Sequence, residues 1–203
     1  MPDVFLNASC VKPGDIDNDG DLDLFIGGRV LTGQYGLDPS SFILINNGKG
    51  VFSNQTQKFL DHNGALGMVT DATWLDVNND KRLDLVVVGE WMPITILIQS
   101  ESGKFQNKTI ESNLNNTNGW WNTIASSDFD HDGDLDLVVG NLGLNSRLKA
   151  SATESVSIFI GDIDKNGSLD PILTYYNQGM RYPFVSRDQL VKQVPSLKRK
   201  FLK

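Results

Sequence analysis

Four nine-residue windows repeat one pattern along the 203 residues: "DIDNDGDLD" (Asp15 to Asp23), "DVNNDKRLD" (Asp76 to Asp84), "DFDHDGDLD" (Asp128 to Asp136) and "DIDKNGSLD" (Asp162 to Asp170). Positions 1, 3, 5 and 9 are Asp or Asn in every copy, position 2 is apolar or aromatic, and position 8 is always Leu. Crowding like charges about 4 Å apart costs roughly 1 kcal/mol per pair in water and several times that at a protein surface. These windows hold 16 of the 25 acidic residues and only three basic ones, Lys81, Arg82 and Lys165. The net charge of −7 is therefore concentrated at four points, and each needs a compensating partner.

Carboxylates and side-chain carbonyls at alternating positions 1, 3 and 5, a glycine at 6 for a sharp turn and a main-chain carbonyl at 7 can wrap a hard cation that takes six to eight oxygens. Calcium fits that donor set. Magnesium demands a tighter octahedron, and zinc would want Cys or His. The expected ligands are Asp15, Asp17, Asp19 and Asp23 in the first loop, Asp76, Asn78, Asp80 and Asp84 in the second, Asp128, Asp130, Asp132 and Asp136 in the third, and Asp162, Asp164, Asn166 and Asp170 in the fourth. Asp21, Arg82, Asp134 and Ser168 stand at position 7 and are expected to offer main-chain carbonyls. The side chain of Asp21 is expected in solvent, so its loss should be mild.

The EF-hand opens in the same way, but its loop ends in a bidentate Glu at position 12. Here position 12 is Ile26, Val87, Val139 or Leu173, and the runs that follow, "LFIGG", "LVVVGE", "LVVG" and "ILTYY", are β-branched or aromatic stretches of strand length. Position 9 must then supply the late carboxylate, and each loop joins two strands. The copies are unequal. The second has Asn78 at position 3 and Lys81 in place of glycine, so of up to four calcium sites it is expected to be the weakest.

Windows starting at 15, 76, 128 and 162 recur at a spacing typical of propeller blades. In the first unit a strand near Ala8 to Val11 enters the loop, Leu22 to Ile26 leaves it, and "SFILINNGKGVFSN" forms a hairpin. The second repeats this with "GMVTDATWLD", "LDLVVVGEW" and "ITILIQSESGKFQN", whereas no clear hairpin follows the third loop. The expected fold is all-β: blades over residues 1–180, divided near 1–60, 61–118, 119–150 and 151–180, then a basic helical tail over 181–203. Ser186 and Gln189 form a capping box for "SRDQLVKQ", and Pro195 suits the start of a second helical turn in "PSLKRKFLK".

Loops followed by "DLFIGG" or "DLVVVGE", with hairpins such as "LINNGKGVF", resemble FG-GAP or VCBS repeats, the calcium-binding blades of integrin α-subunit heads. More narrowly, "GGRV", "VVGEWMP", "GWWNTI", "GNLGLNS" and "DPILTYY…YPFVSRDQL" are similar to bacterial proteins related to cartilage acidic protein, which carry such blades ahead of an ASPIC/UnbV region. The resemblance implies a seven-bladed propeller in an exported or cell-surface protein, with the loop aspartates as calcium ligands. About four loop units and no export signal in "MPDVFLNASC" lead us to expect part of a larger propeller; a trimmed small propeller and a self-associating open array are the alternatives.

The expected function is a calcium-binding, adhesion-type module that binds an extracellular protein or glycan. A propeller-based polysaccharide lyase or hydrolase is the alternative. Catalysis has little to draw on: His131 lies at position 4 of the third loop, His62 in the turn "LDHNGA", and Cys10 has no partner cysteine. No stretch is long enough to span a membrane. The excess of basic charge is confined to the tail and comes without a nucleic-acid-binding motif, which argues against a nucleic-acid partner. Trp74, Trp91, Trp120 and Trp121 are expected mainly between blades, but strand alternation sends one of the adjacent pair outward, where it is a candidate for binding sugar or peptide.

Overall fold

The computed structural model describes residues 2–3, 6–143 and 145–200. The chain divides into two compact units, Met1–Leu31 with Leu37–Leu142, and Thr32–Gly36 with Gly143–Lys203. In the first unit β1 (Asn7–Gly14), β2 (Asp23–Val30), β3 (Phe42–Asn46) and β4 (Phe52–Asn54) form an antiparallel sheet in chain order. The same order recurs in β5 (Met68–Leu75), β6 (Asp84–Met92), β7 (Thr95–Gln99) and β8 (Phe105–Asn107). β9 (Gly119–Ser127) and β10 (Asp136–Asn141) pair with each other, and β9 joins β6 through Glu90 opposite Trp120 and Met92 opposite Gly119. These are propeller-type blades, and each acidic window is the turn between the first two strands of its sheet.

The hairpins close through local polar side chains. Asn46 Oδ1 accepts from the N–H groups of Asn47 and Gly50, and Asn47 Oδ1 from those of Lys49 and Val51. A second device follows β4 and β8. Asn54 Oδ1 accepts from the N–H of Thr56, whose hydroxyl accepts from the N–H of Ile43; Asn107, Thr109 and Ile96 repeat the set. The "NQT" and "NKT" triplets are thus latches that tie the last strand of a blade back to its third. Thr56 also starts the single turn of α1 (Thr56–Phe59).

β6 shows why the sheets stack. Its "LVVV" run carries no polar alternation because both faces are covered. Leu85 and Val87 pack with Phe25, Ile43, Phe59 and Phe105 of one core cluster, while Val86 and Val88 pack with Ile96 and Ile124 of the other. Burying each such side chain is worth roughly 1.5–3 kcal/mol. The inner strands are also stitched to one another: Ser9 donates to Val69 O (2.7 Å), and Thr70 donates to Trp121 O (2.9 Å). Asp71 ties three strands together, with Oδ1 2.7 Å from Lys12 Nζ on β1 and Oδ2 accepting from the Thr123 hydroxyl and Ile124 N–H on β9.

In the second unit β11 (Ser157–Phe159), β12 (Ile172–Asn177) and β13 (Met180–Pro183) form a three-stranded antiparallel sheet. α2 (Arg187–Gln193) follows, and its Ser186/Gln189 capping box is present. A 3₁₀ turn, Pro195–Lys200, continues the tail, whose last three residues lie outside the described ones. No helix among the described residues is long and apolar enough to cross a membrane.

Candidate metal centres

All four windows adopt one loop conformation, built by their own side chains. The position-1 carboxylate accepts from the backbone N–H groups of positions 5 and 6: Asp15 from Asp19 and Gly20, Asp76 from Asp80 and Lys81, Asp128 from Asp132 and Gly133, and Asp162 from Asn166 and Gly167. Position 5 accepts from position 7 in each, through Asp19, Asp80, Asp132 and Asn166 to the N–H groups of Asp21, Arg82, Asp134 and Ser168. Position 6 is left-handed throughout, with φ of 93°, 98° and 87° at Gly20, Gly133 and Gly167 but 68° at Lys81. Only glycine takes that conformation without steric cost.

The late aspartate locks the loop onto the sheet. Oδ2 of Asp23, Asp84, Asp136 and Asp170 accepts from the N–H of the residue at position 2 of its own window: Ile16, Val77, Phe129 and Ile163. In the first two blades Oδ1 also takes an N–H from the end of the third strand, Asn46 or Gln99. Gln99 then reaches into the neighbouring blade, its Nε2 donating to Ile16 O at 2.7 Å. Burial pushes the carboxyls of Asp23 and Asp84 above the ordinary range, against the pull of these hydrogen bonds.

Three groups of carboxylates converge, each with oxygens within 4.8 Å of one another: Asp15, Asp17 and Asp19; Asp128, Asp130 and Asp136; Asp162, Asp164 and Asp170. Each group can hold a metal ion. The donors are all oxygen, which suits a hard cation. Asp23 is absent from the first group while its counterparts Asp136 and Asp170 join theirs.

Asp21 departs from the expectation that its side chain lies in solvent. Its Oδ1 is buried without a hydrogen-bond partner, and a Cβ on Gly48 would stand 3.1 Å from its Oδ2, so the Asn46–Gly50 hairpin covers it. Desolvation, then the like charges of Asp19, Asp17 and Asp15, push its carboxyl pKa up. A buried, unpartnered carboxylate oxygen beside three converging carboxylates is a local excess of negative charge, and a bound cation would relieve it. The residues present fit such an ion.

The second window is different. Arg82 folds its guanidinium back into the loop, Nη2 2.5 Å from Asp80 Oδ2 and Nε donating to Gln99 O at 3.2 Å, while Asn78 Nδ2 donates to the same Asp80 oxygen at 2.8 Å. Although desolvation opposes it, the Arg82 N–H, Asn78 and the Arg82 charge hold the Asp80 carboxyl below its ordinary value. The Arg82 side chain supplies a positive charge inside the loop, a role that a nine-residue pattern cannot show.

The other candidates separate clearly. Cys10 is half-buried against the first core cluster, and burial raises its thiol pKa, as for an inert packing cysteine. Trp74 and Trp121 pack against the two core clusters, whereas Trp91 and Trp120 pair with each other, ring centroids 5.3 Å apart.

Repeated antiparallel blades whose first turns carry oxygen-rich acidic loops define a β-propeller-type repeat module. A family model of FG-GAP-like repeats matches residues 15–87 and 76–139, and one of FG-GAP repeats matches residues 120–159. The chain belongs to the FG-GAP repeat family. Among curated proteins none matches it.

Proposed function

We propose that this chain is a calcium-binding β-propeller module of an exported or cell-surface protein that binds an extracellular protein or glycan. The observation that carries the calcium reading is the first loop, where Asp15, Asp17 and Asp19 converge beside the orphaned Asp21 Oδ1. Asp128, Asp130 and Asp136, and Asp162, Asp164 and Asp170, would hold further ions. The ion would neutralise each acidic turn and staple two strands, so that ion binding and folding are linked by mass action.

The test is thermal unfolding with chelator and on re-addition of ions. EDTA should lower the melting temperature, and calcium should restore it better than magnesium at equal concentration. An unchanged melt would overturn the metal reading. The extracellular setting rests on the family, whose repeats are typical of extracellular proteins.

A further inference from the structure

At the far end of β6 from its acidic loop the strand carries a β-bulge at Trp91, between the pairs Glu90–Trp120 and Met92–Gly119. Trp91 has φ of 63°, a left-handed conformation that is a genuine outlier for a bulky residue. Bulges re-aim side chains, and strain of this kind persists only where the surroundings impose it. Here the support is visible. Trp91 lies against Trp120 at an interplanar angle of 43°, and Trp120 Nε1 donates to Glu90 Oε1 at 2.5 Å. The Glu90 side chain is only 3% exposed and is paired with Arg29, Nη2 at 2.6 Å.

Trp91 also lines a cleft of about 440 Å³, within the size range of small-molecule sites. Its apolar lining includes Leu66 and Phe105, and its polar lining includes Asp38, His62 and Asn107. His62 is itself left-handed, with φ of 51°.

The geometry points to a saccharide-binding site in this cleft, taking a neutral oligosaccharide whose ring stacks on the Trp91 indole and whose hydroxyls meet Asp38, His62 and Asn107. This assignment rests on the glycan form of the binding-module reading and is independent of the calcium loops. An indole face suits the C–H face of a pyranose, and carboxylate, imidazole and amide together both donate to and accept from hydroxyls. Charge chooses among ligands. An anionic ligand meets the Asp38 carboxylate, and a purely apolar one would bury the polar lining without partners. A cation finds one of the two lining carboxylates, Asp61, already paired with Lys104 at 2.6 Å.

The test titrates the whole chain, with and without calcium, against cellohexaose, mannohexaose and chitohexaose, and against tetramethylammonium, by calorimetry and tryptophan emission. At least one oligosaccharide should bind with Kd below about 10 mM and perturb the emission. Trp91→Gly relieves the left-handed strain, so its melting temperature should stay within about 3 °C of the parent while affinity falls at least about tenfold. Asp38→Ala, on the exposed rim, should weaken binding at least about threefold without moving the melt. Saccharide binding that neither substitution weakens, preference for tetramethylammonium, or no saccharide binding would overturn the assignment. Loss of the calcium response with saccharide binding intact would instead remove the metal reading alone.

Discussion

Arg82 holds the carboxylate of Asp80 across two residues of the second acidic loop, Nη2 to Oδ2 at 2.5 Å, with Asn78 on the same oxygen. A guanidinium stands there as the loop's own counter-charge, so this window should need no ion. Titration of the parent protein with calcium should give fewer sites than four windows would allow. Replacing Arg82→Asp together with Lys81→Gly should add one site, read as stoichiometry by calorimetry. An unchanged count would sink this account of the loop.

Lys81 alone makes a separate prediction. At φ of 68° it occupies the left-handed position that glycine fills in the other three loops. Lys81→Gly should therefore raise stability by about 1 kcal/mol in chemical denaturation. Gly20→Lys, which puts the same conformation under a side chain, should lower it by a similar amount.

Asp23 and Asp21 lie two residues apart and should respond in opposite ways. Asp23 is fully buried and accepts the N–H groups of Ile16 and Asn46. Asp23→Ala leaves both donors unpaired and should cost about 3 kcal/mol of unfolding free energy. Asp21 has an oxygen buried without a partner, so Asp21→Asn should raise the melting temperature of EDTA-treated protein and shrink the further gain on adding calcium.

Asp71 should govern part of the acid limb of stability. Burial pulls its carboxyl pKa up, but the Lys12 ammonium, the Ile124 and Ala72 N–H groups and the Thr123 hydroxyl pull harder and leave it below 3.8. A carboxyl with a lowered folded pKa contributes stability that is present above its unfolded value and lost as pH falls through the folded one. Asp71→Asn should flatten the fall in stability below about pH 4. In calcium-free protein Asp17, Asp23 and Asp84, raised by burial, should act with the opposite sign, their contribution being lost as pH rises above 3.8 through their raised values.

The latches between blade strands are equivalent by structure and should be so by energy. Thr56→Val and Thr109→Val each strip the acceptor from a β-strand N–H, that of Ile43 or Ile96. Each should cost about 1–3 kcal/mol, measured by urea unfolding. A difference of several kcal/mol between them would show that the two blades are not held by the same device.

What was legible in the chain is what is local. The four loops read correctly as turns between strands because their hydrogen bonds connect positions within one nine-residue window, as Asp15 does with Asp19 and Gly20. The hairpin at Asn46–Gly50 and the helix cap at Ser186 were legible for the same reason. The "LVVV" run announced a strand, which is a statement about one segment, but that both of its faces are covered came from the neighbouring sheets. Tertiary structure decided which charges are compensated and by what. Arg82 folds back because Gln99 O, on β7, accepts its Nε; one oxygen of Asp21 is buried where the hairpin closes over it. Arg29 meets Glu90 across 61 residues, and Gln99 reaches Ile16 across 83. Position in a repeat says which atoms are available to an ion, but desolvation and pairing depend on neighbouring blades, and no window of sequence contains them.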